Sequence, residues 1–115
     1  MELNIQVRKV DDVAVVVLSG ELDTYSCPNL RQSVGDLVDQ GHLKIVLNLK
    51  DVEYVDSAGL GTLVGNLKRV TEKGGQLKLV NCNAQIQKVF NITGLVRIFE
   101  QYDSEEAAIK SFPPS

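Results

Sequence analysis

The sequence predicts an α/β fold, with helices packed on one mixed β-sheet of about four to five strands. Apolar residues recur in some segments with the alternation of a strand and in others with helical spacing, and these segments follow in the order β-β-α-β-α-β-α-β-α. Strands that alternate with helices need crossover connections, which make a largely parallel sheet. Only Asp11-Asp12 separates the first two strands, so a tight turn should pair them as an antiparallel hairpin.

The hairpin joins a strand of alternating character to a more apolar one. Ile5 and Val7 alternate with polar neighbours, which is typical of a half-exposed strand, whereas residues 13–18 are all apolar. The second strand should therefore lie deeper than the first.

The first helix should begin near Pro28, because proline is tolerated in the first turn of a helix and disfavours helical geometry in the residue before it. Its predicted end is Gly41, a residue type that closes many helices. The face that should pack on the sheet consists of Leu30, Val34, Leu37 and Val38.

The middle of the chain predicts a strand, a loop and a long helix. Residues 44–49 are predicted to form the strand, residues 50–55 the loop, and residues 57–73 the helix, which Gly74-Gly75 ends. The buried face of that helix should consist of Leu60, Leu63, Val64, Leu67 and Val70.

The last third predicts two strands and two short helices. Residues 76–80 and 98–102 should form the strands, and the helix between them should end near Gly94. Ser104 followed by Glu105-Glu106 suits the start of a terminal helix, because the hydroxyl can cap it and acidic residues favour its positive end. The apolar residues of the two helices are Ile86, Val89, Phe90, Ala108, Ile109 and Phe112.

Length and composition restrict the class of protein. The 115 residues are 43% apolar and 23% charged, which is typical of a globular protein, and we expect a single domain over residues 1–115. A net charge of −3 provides no basic surplus for a nucleic-acid backbone, and no apolar run is long enough to cross a bilayer. We expect a cytoplasmic protein that binds neither nucleic acid nor membrane directly.

Few side chains suit metal or redox chemistry. The two cysteines, Cys27 and Cys82, lie far apart in the sequence, and His42 is the single histidine. We therefore expect reduced structural thiols, no metal site and no cofactor.

The segment most suggestive of function is residues 55–64, which places Ser57 at a predicted helix start among small residues. The first backbone N–H groups of a helix lack partners inside it, and the helix dipole is positive there. Asp56 or Ser57 can cap the helix. A phosphate on Ser57 could meet the same N–H groups and add about −1.5 to −2 charges without unfolding the domain.

Two glycines follow the serine in the first turns of this helix. Gly59 and Gly61 each cost up to about 1 kcal/mol relative to alanine, and the close approach of a partner to the backbone would explain them. The outward stripe of Gly61, Gly65, Lys68 and Glu72 faces away from the apolar residues, and we place the partner near its N-terminal end.

Simpler explanations exist for each of these residues. A serine or aspartate before an apolar run is most often only a helix cap, glycines can permit tight packing on a strand, and Asp23 can be a turn residue. A dinucleotide site is disfavoured because the third glycine of residues 59–65 comes one place late. A serine hydrolase is disfavoured because Val55 replaces the first glycine of a nucleophile elbow.

Two motifs carry a family resemblance: Asp56-Ser57-Ala58-Gly59-Leu60-Gly61 and the earlier Gly20-Glu21-Leu22-Asp23. The chain resembles the STAS-domain anti-anti-sigma factors, which are bacterial antagonists of anti-sigma factors, over nearly its whole length. The resemblance implies a STAS domain with its phosphoacceptor at Ser57. It also implies that the partner-binding surface consists of Asp23, Asp56, Ser57, Gly59, Leu60 and Gly61. Ala58 stands where many relatives have serine or threonine, which leaves a single hydroxyl at this site.

The resemblance further implies partner switching rather than catalysis. In such families the unphosphorylated antagonist binds an anti-sigma factor that is also a serine kinase. This binding makes the anti-sigma factor release its sigma factor. The kinase uses ATP to phosphorylate the residue that matches Ser57, and a PP2C-type phosphatase removes the phosphate. The antagonist itself is expected to be a monomer when free. The alternative is a STAS subunit that docks constitutively on a transporter or signalling scaffold and does not cycle through phosphorylation.

Overall fold

Five strands form one mixed sheet in the computed structural model, which describes residues 3–113. The strands are β1 (Leu3–Val10), β2 (Val13–Leu22), β3 (Lys44–Val55), β4 (Gln76–Val80) and β5 (Glu100–Tyr102). They lie side by side in sequence order, with β1 and β2 antiparallel and each later pair parallel. The predicted mixed sheet is confirmed. The end residues of the domain expected over 1–115 lie outside the described range.

In the described part of the chain, four helices and one 3₁₀ turn connect or follow the strands. They are α1 (Cys27–Asp39), α2 (Ser57–Glu72), α3 (Ala84–Thr93), the 3₁₀ turn Leu95–Arg97 and α4 (Glu105–Ser111). The predicted order of strands and helices is confirmed. Within residues 3–113, none of the helices has the length and apolar character needed to span a membrane.

The hairpin turn depends on Asp11, whose φ of 55° lies in the left-handed region that aspartate tolerates in turns. Val10 lies opposite Val13, so two residues close the turn. Strand β1 is largely exposed at the edge of the sheet, whereas residues 13–16 of β2 are buried. The prediction that the second strand lies deeper is confirmed.

The predicted loop at residues 50–55 is wrong, because these residues continue β3 to Val55. Their pairing with β2 continues as well, with Asp51 opposite Ser19 and Val55 opposite Leu22. Most side chains of this extension are exposed, with Val52 buried among them. Because most of these residues are charged or face solvent, they lack the apolar pattern by which a strand is predicted from sequence.

The last strand is shorter than predicted, since β5 begins at Glu100 rather than at residue 98. The Ile98 N–H instead closes the 3₁₀ turn on the carbonyl of Leu95 at 3.1 Å. Phe99 stacks on Phe90 of α3, with ring centroids 5.5 Å apart. Phe99 is therefore apolar because it packs on a helix and not because it pairs in the sheet.

Both faces of the sheet are covered. Helices α1, α2 and α3 pack on one face around Leu47, and α4 packs on the other around Val46, because neighbouring residues of a strand point to opposite faces. Strand β3 runs almost directly into α2, with only Asp56 between them. Ser57 therefore lies at the carboxyl edge of the parallel strands, where ligands commonly bind in open α/β sheets.

Candidate functional site at the start of helix α2

Asp56 caps helix α2. Its backbone is extended, with φ −91° and ψ −175°, and its Oδ1 accepts the Gly59 N–H at 2.8 Å. A carboxylate in this position satisfies one of the N–H groups that have no partner inside the helix. Of the two residues that could cap the helix, Asp56 does so, and Ser57 is the first helical residue.

Ser57 presents its hydroxyl to solvent. The residue is exposed, and within residues 3–113 no protein group hydrogen-bonds its side chain. The N–H groups of Ser57 and Ala58 lie in the first turn, where no carbonyl of the same helix can accept them. A phosphate on Ser57 would lie near these donors and near the positive end of the helix dipole.

The second carboxylate oxygen of Asp56 joins the helix start to the loop that follows β2. Asp56 Oδ2 accepts the Thr24 N–H at 3.2 Å and the Thr24 hydroxyl at 3.4 Å. One carboxylate thus orders two segments that are 32 residues apart. Thr24 was not predicted as a site residue, because a single threonine in a loop carries no signal of what it contacts.

Asp23 orders its own loop. Its Oδ1 accepts the N–H groups of Tyr25 at 3.0 Å and Ser26 at 2.9 Å. These bonds form an Asx turn just before α1. These bonds, above all the one from Ser26, hold the pKa of the Asp23 carboxyl below its usual value of 3.8. Asp23 is therefore charged at neutral pH, on the loop that Thr24 attaches to the start of α2.

Gly59 packs on the end of β2. It is buried, and a Cβ added to it would stand 2.4 Å from the Leu22 carbonyl oxygen. The Asp56 N–H donates to the same carbonyl at 3.2 Å. Of the residues expected at the partner surface, Gly59 thus lies beneath that surface, where it lets the helix approach the strand.

Gly61 differs from Gly59 in its surroundings. It is exposed, and a Cβ added to it would meet nothing within 4 Å; the same holds for Gly65. The fold itself does not require either residue to be glycine, although each costs roughly 0.5–1 kcal/mol relative to alanine in a helix. The predicted outward stripe is confirmed, since Lys68 and Glu72 are exposed as well.

Two exposed tyrosines lie on the segments next to the start of α2. Tyr25 is 88% exposed on the loop after β2, and Tyr54 is 48% exposed near the end of β3. Tyr54 also lines a small cavity of about 30 Å³ with Leu60 of α2 and Val89 of α3. Exposed tyrosines are common in protein interfaces, and the sequence did not single out these two.

Within residues 3–113, neither cysteine thiol takes part in the side-chain hydrogen bonds around Ser57. Cys27 is buried and Cys82 is partly buried, and both are free thiols. Burial raises the pKa of the Cys82 thiol to about 11, so it is protonated at neutral pH. Among residues 3–113 there is no group of three or more histidine, cysteine, aspartate or glutamate residues that could hold a metal ion.

Comparison with known proteins points to one family. The model of the family described as STAS domain matches residues 4–108. The anti-sigma-B factor antagonist of Bacillus subtilis (strain 168) is 38% identical over 110 residues, which cover 96% of this chain and 100% of the relative.

Solved structures agree with this result. A crystal structure of an anti-sigma factor antagonist from Mycobacterium paratuberculosis has a TM-score of 0.85 and 27% identity, covering 95% of this chain and 92% of that one. The Bacillus cell fate determinant SpoIIAA in its phosphorylated form has a TM-score of 0.74 and 28% identity, covering 93% and 97%. SpoIIAA has also been solved in its unphosphorylated form.

Proposed function

Since this chain belongs to the STAS domain family, we propose that it is an anti-sigma factor antagonist that works by partner switching. The unphosphorylated protein binds an anti-sigma factor that is also a serine kinase, and the bound sigma factor is released to RNA polymerase. The kinase transfers the γ-phosphoryl group of ATP to Ser57, and binding is lost. A PP2C-type phosphatase removes the phosphate and restores the active form.

The observation that carries this proposal is the hydroxyl of Ser57 at the first position of α2, which is exposed and has no hydrogen-bond partner within residues 3–113. A kinase needs a hydroxyl that it can reach, and the free N–H groups of the first turn can accommodate the resulting phosphate. The two reported forms of SpoIIAA, phosphorylated and unphosphorylated, belong to a relative that covers most of this chain. They support phosphorylation as a state of this chain too.

Charge explains how one phosphate can break the contact. It adds about −1.5 to −2 charges beside Asp56 and near the loop of Asp23. A partner surface that fits the unmodified serine then meets like charge or must desolvate the phosphate. Each tenfold loss of affinity requires only about 1.4 kcal/mol, so a single phosphate is sufficient.

The contact surface in this proposal combines the start of α2 with the loop after β2. Asp23, Asp56, Ser57, Leu60 and Gly61 form it, and Gly59 supports it from below. The protein acts by binding and not by catalysis. Its proposed partners, a kinase that uses ATP and a PP2C-type phosphatase, support a cytoplasmic location.

The test is a binding titration against the organism's own anti-sigma factor kinase, with and without ATP. Wild-type protein should bind without ATP, gain one phosphate on Ser57 when ATP is present, and then dissociate. Ser57→Ala should stay bound under both conditions, and Ser57→Asp should bind at least tenfold more weakly. Ala107→Asp is the matched control, because it adds the same charge at the start of α4 on the opposite face of the sheet.

Two outcomes would overturn the proposal. One is equal binding of Ser57→Asp and Ala107→Asp, since the charge at position 57 would then be irrelevant. The other is a wild-type protein that stays unphosphorylated and bound in the presence of ATP, which is the behaviour of a constitutive docking subunit.

A further inference from the structure

An open groove of about 380 Å³ runs between helices α1 and α2. Residues of both helices line this α1–α2 groove: Arg31, Ala58, Gly61, Thr62, Gly65, Asn66 and Arg69. We propose that it receives a carboxylate side chain, aspartate or glutamate, of the anti-sigma factor that binds at Ser57. This inference rests on the proposed function and extends it, by identifying the chemistry of a second contact with the same partner.

Asn66 supplies the first argument. The residue is 1% exposed, and within residues 3–113 its side-chain Nδ2 has no hydrogen-bond partner. A buried donor without an acceptor is costly and rare in native proteins. Because Asn66 lines the groove, an oxygen acceptor that enters from outside would satisfy Nδ2 once the side-chain amide turns toward it.

The charges of the groove determine which acceptor fits. Within residues 3–113, Arg31 and Arg69 line it, no acidic residue does, and neither arginine forms an ion pair. Arg69 is held in place, since its Nη1 donates to the Arg31 carbonyl at 3.0 Å, which leaves its other N–H donors available. A chain with a net charge of −3 thus has a locally positive groove, and a carboxylate complements it better than a neutral amide.

The glycines supply access. Gly61 and Gly65 are exposed and have open space where a Cβ would lie, so a partner can approach the helix backbone between the two arginines and the first turn. Ala58, next to Ser57, lines the same groove. At 1.5 Å per residue, the stripe from Ala58 to Arg69 extends for about 16 Å along α2. The groove is therefore continuous with the surface around Ser57, which favours the same protein partner as its occupant.

The experiment compares substitutions at Gly65 by titration against the purified anti-sigma factor kinase without ATP. Gly65→Asp places a carboxylate where the partner's carboxylate would lie, and Gly65→Asn places an uncharged group of the same size there. We expect Gly65→Asp to bind at least tenfold more weakly than Gly65→Asn. Arg31→Gln should also weaken binding and reduce its dependence on NaCl concentration, because one charged contact is lost. The Arg31 carbonyl that holds Arg69 remains in that variant.

The outcomes separate this inference from the proposed function. If wild-type protein binds, Ser57→Asp does not, and Gly65→Asp equals Gly65→Asn, the carboxylate contact is wrong while the switch at Ser57 stands. The carboxylate contact is also contradicted if Arg31→Gln keeps the full affinity and salt dependence of wild type. If wild-type protein does not bind the kinase at all, both proposals fail.

Discussion

Gly59 lies directly against Leu22: a Cβ on residue 59 would stand 2.4 Å from the Leu22 carbonyl oxygen. That oxygen cannot move away freely, because it accepts the Asp56 N–H at the carboxyl end of β2. Gly59→Ala must therefore displace the start of α2 or the end of β2. We expect it to lower the free energy of unfolding by about 1–3 kcal/mol, as overpacked core substitutions do. Urea unfolding followed by circular dichroism would measure this loss.

Gly61→Ala is the matched control, because it makes the same change two residues later in the same helix. Its added methyl group meets open space, so the better helix propensity of alanine should raise stability by up to about 1 kcal/mol. Opposite signs at the two positions are the expected result. Equal stability of the two variants would mean that the carbonyl of Leu22 yields to the methyl group at little cost.

Removal of the Asp56 carboxylate should destabilise the domain and loosen the loop after β2. Asp56→Ala loses the bond to the Gly59 N–H and both bonds to Thr24, and we expect a loss of about 0.5–2 kcal/mol from the cap. Asp56→Asn should retain most of this stability, because its amide oxygen can still cap the helix. The measurement is urea unfolding of both variants, with hydrogen exchange of the Thr24 amide as a local probe. Unchanged exchange at Thr24 in Asp56→Ala would contradict the coupling of the two segments.

The order of the strands and helices could be predicted from the sequence because the spacing of apolar residues within one strand or helix is a local property. Residues 57–72, for example, show helical spacing without reference to the rest of the chain. The predictions failed where burial depends on distant segments. Residues 50–55 are mostly exposed and are held in β3 by pairing with β2, whereas Phe99 is apolar because it stacks on Phe90.

The same distinction holds for the site. Asp56 and Ser57 could be identified because cap and helix start are neighbours in sequence. The contact of Asp56 with Thr24, and of Gly59 with Leu22, joins segments more than 30 residues apart. The α1–α2 groove likewise exists only once the two helices pack.

Phosphorylation of Ser57 should leave the folded domain nearly as stable as before. The phosphate can accept hydrogen bonds from the free N–H groups and interacts favourably with the helix dipole, but it also lies near the negative Asp56 carboxylate. We therefore expect the free energy of unfolding to change by no more than about 1 kcal/mol. Thermal unfolding of the phosphorylated and unphosphorylated proteins would measure it. A loss of more than about 2 kcal/mol would indicate that local unfolding of α2, and not charge at its surface, disrupts the partner contact.

Glu105 ties α4 to the sheet, and its contribution should depend on pH. Arg8 donates to one carboxylate oxygen, and Asn48 Nδ2 donates to the other at 2.6 Å. Burial alone would raise the pKa of Glu105, but the hydrogen bonds from Arg8 and Asn48 and the Arg8 charge outweigh it and hold the pKa below its usual value of 4.5. Because the native pKa is lowered, this stabilisation is present above about pH 4.5 and is lost as the pH falls through the lower native value.

Glu105→Gln should therefore destabilise the protein by about 1 kcal/mol at pH 7, and the difference from wild type should shrink as the pH falls below 4.5. Glu106→Gln is the control, since it removes the same charge from the same turn of α4 but breaks only an exposed ion pair with Lys110. Urea unfolding between pH 3 and 7 would compare the two variants. Asn48 and Arg8 contact Glu105 but not Glu106. We therefore expect Glu106→Gln to lose less stability than Glu105→Gln, and the loss to depend less on pH. Identical curves for both variants would assign the effect to the helix dipole rather than to the contacts with the sheet.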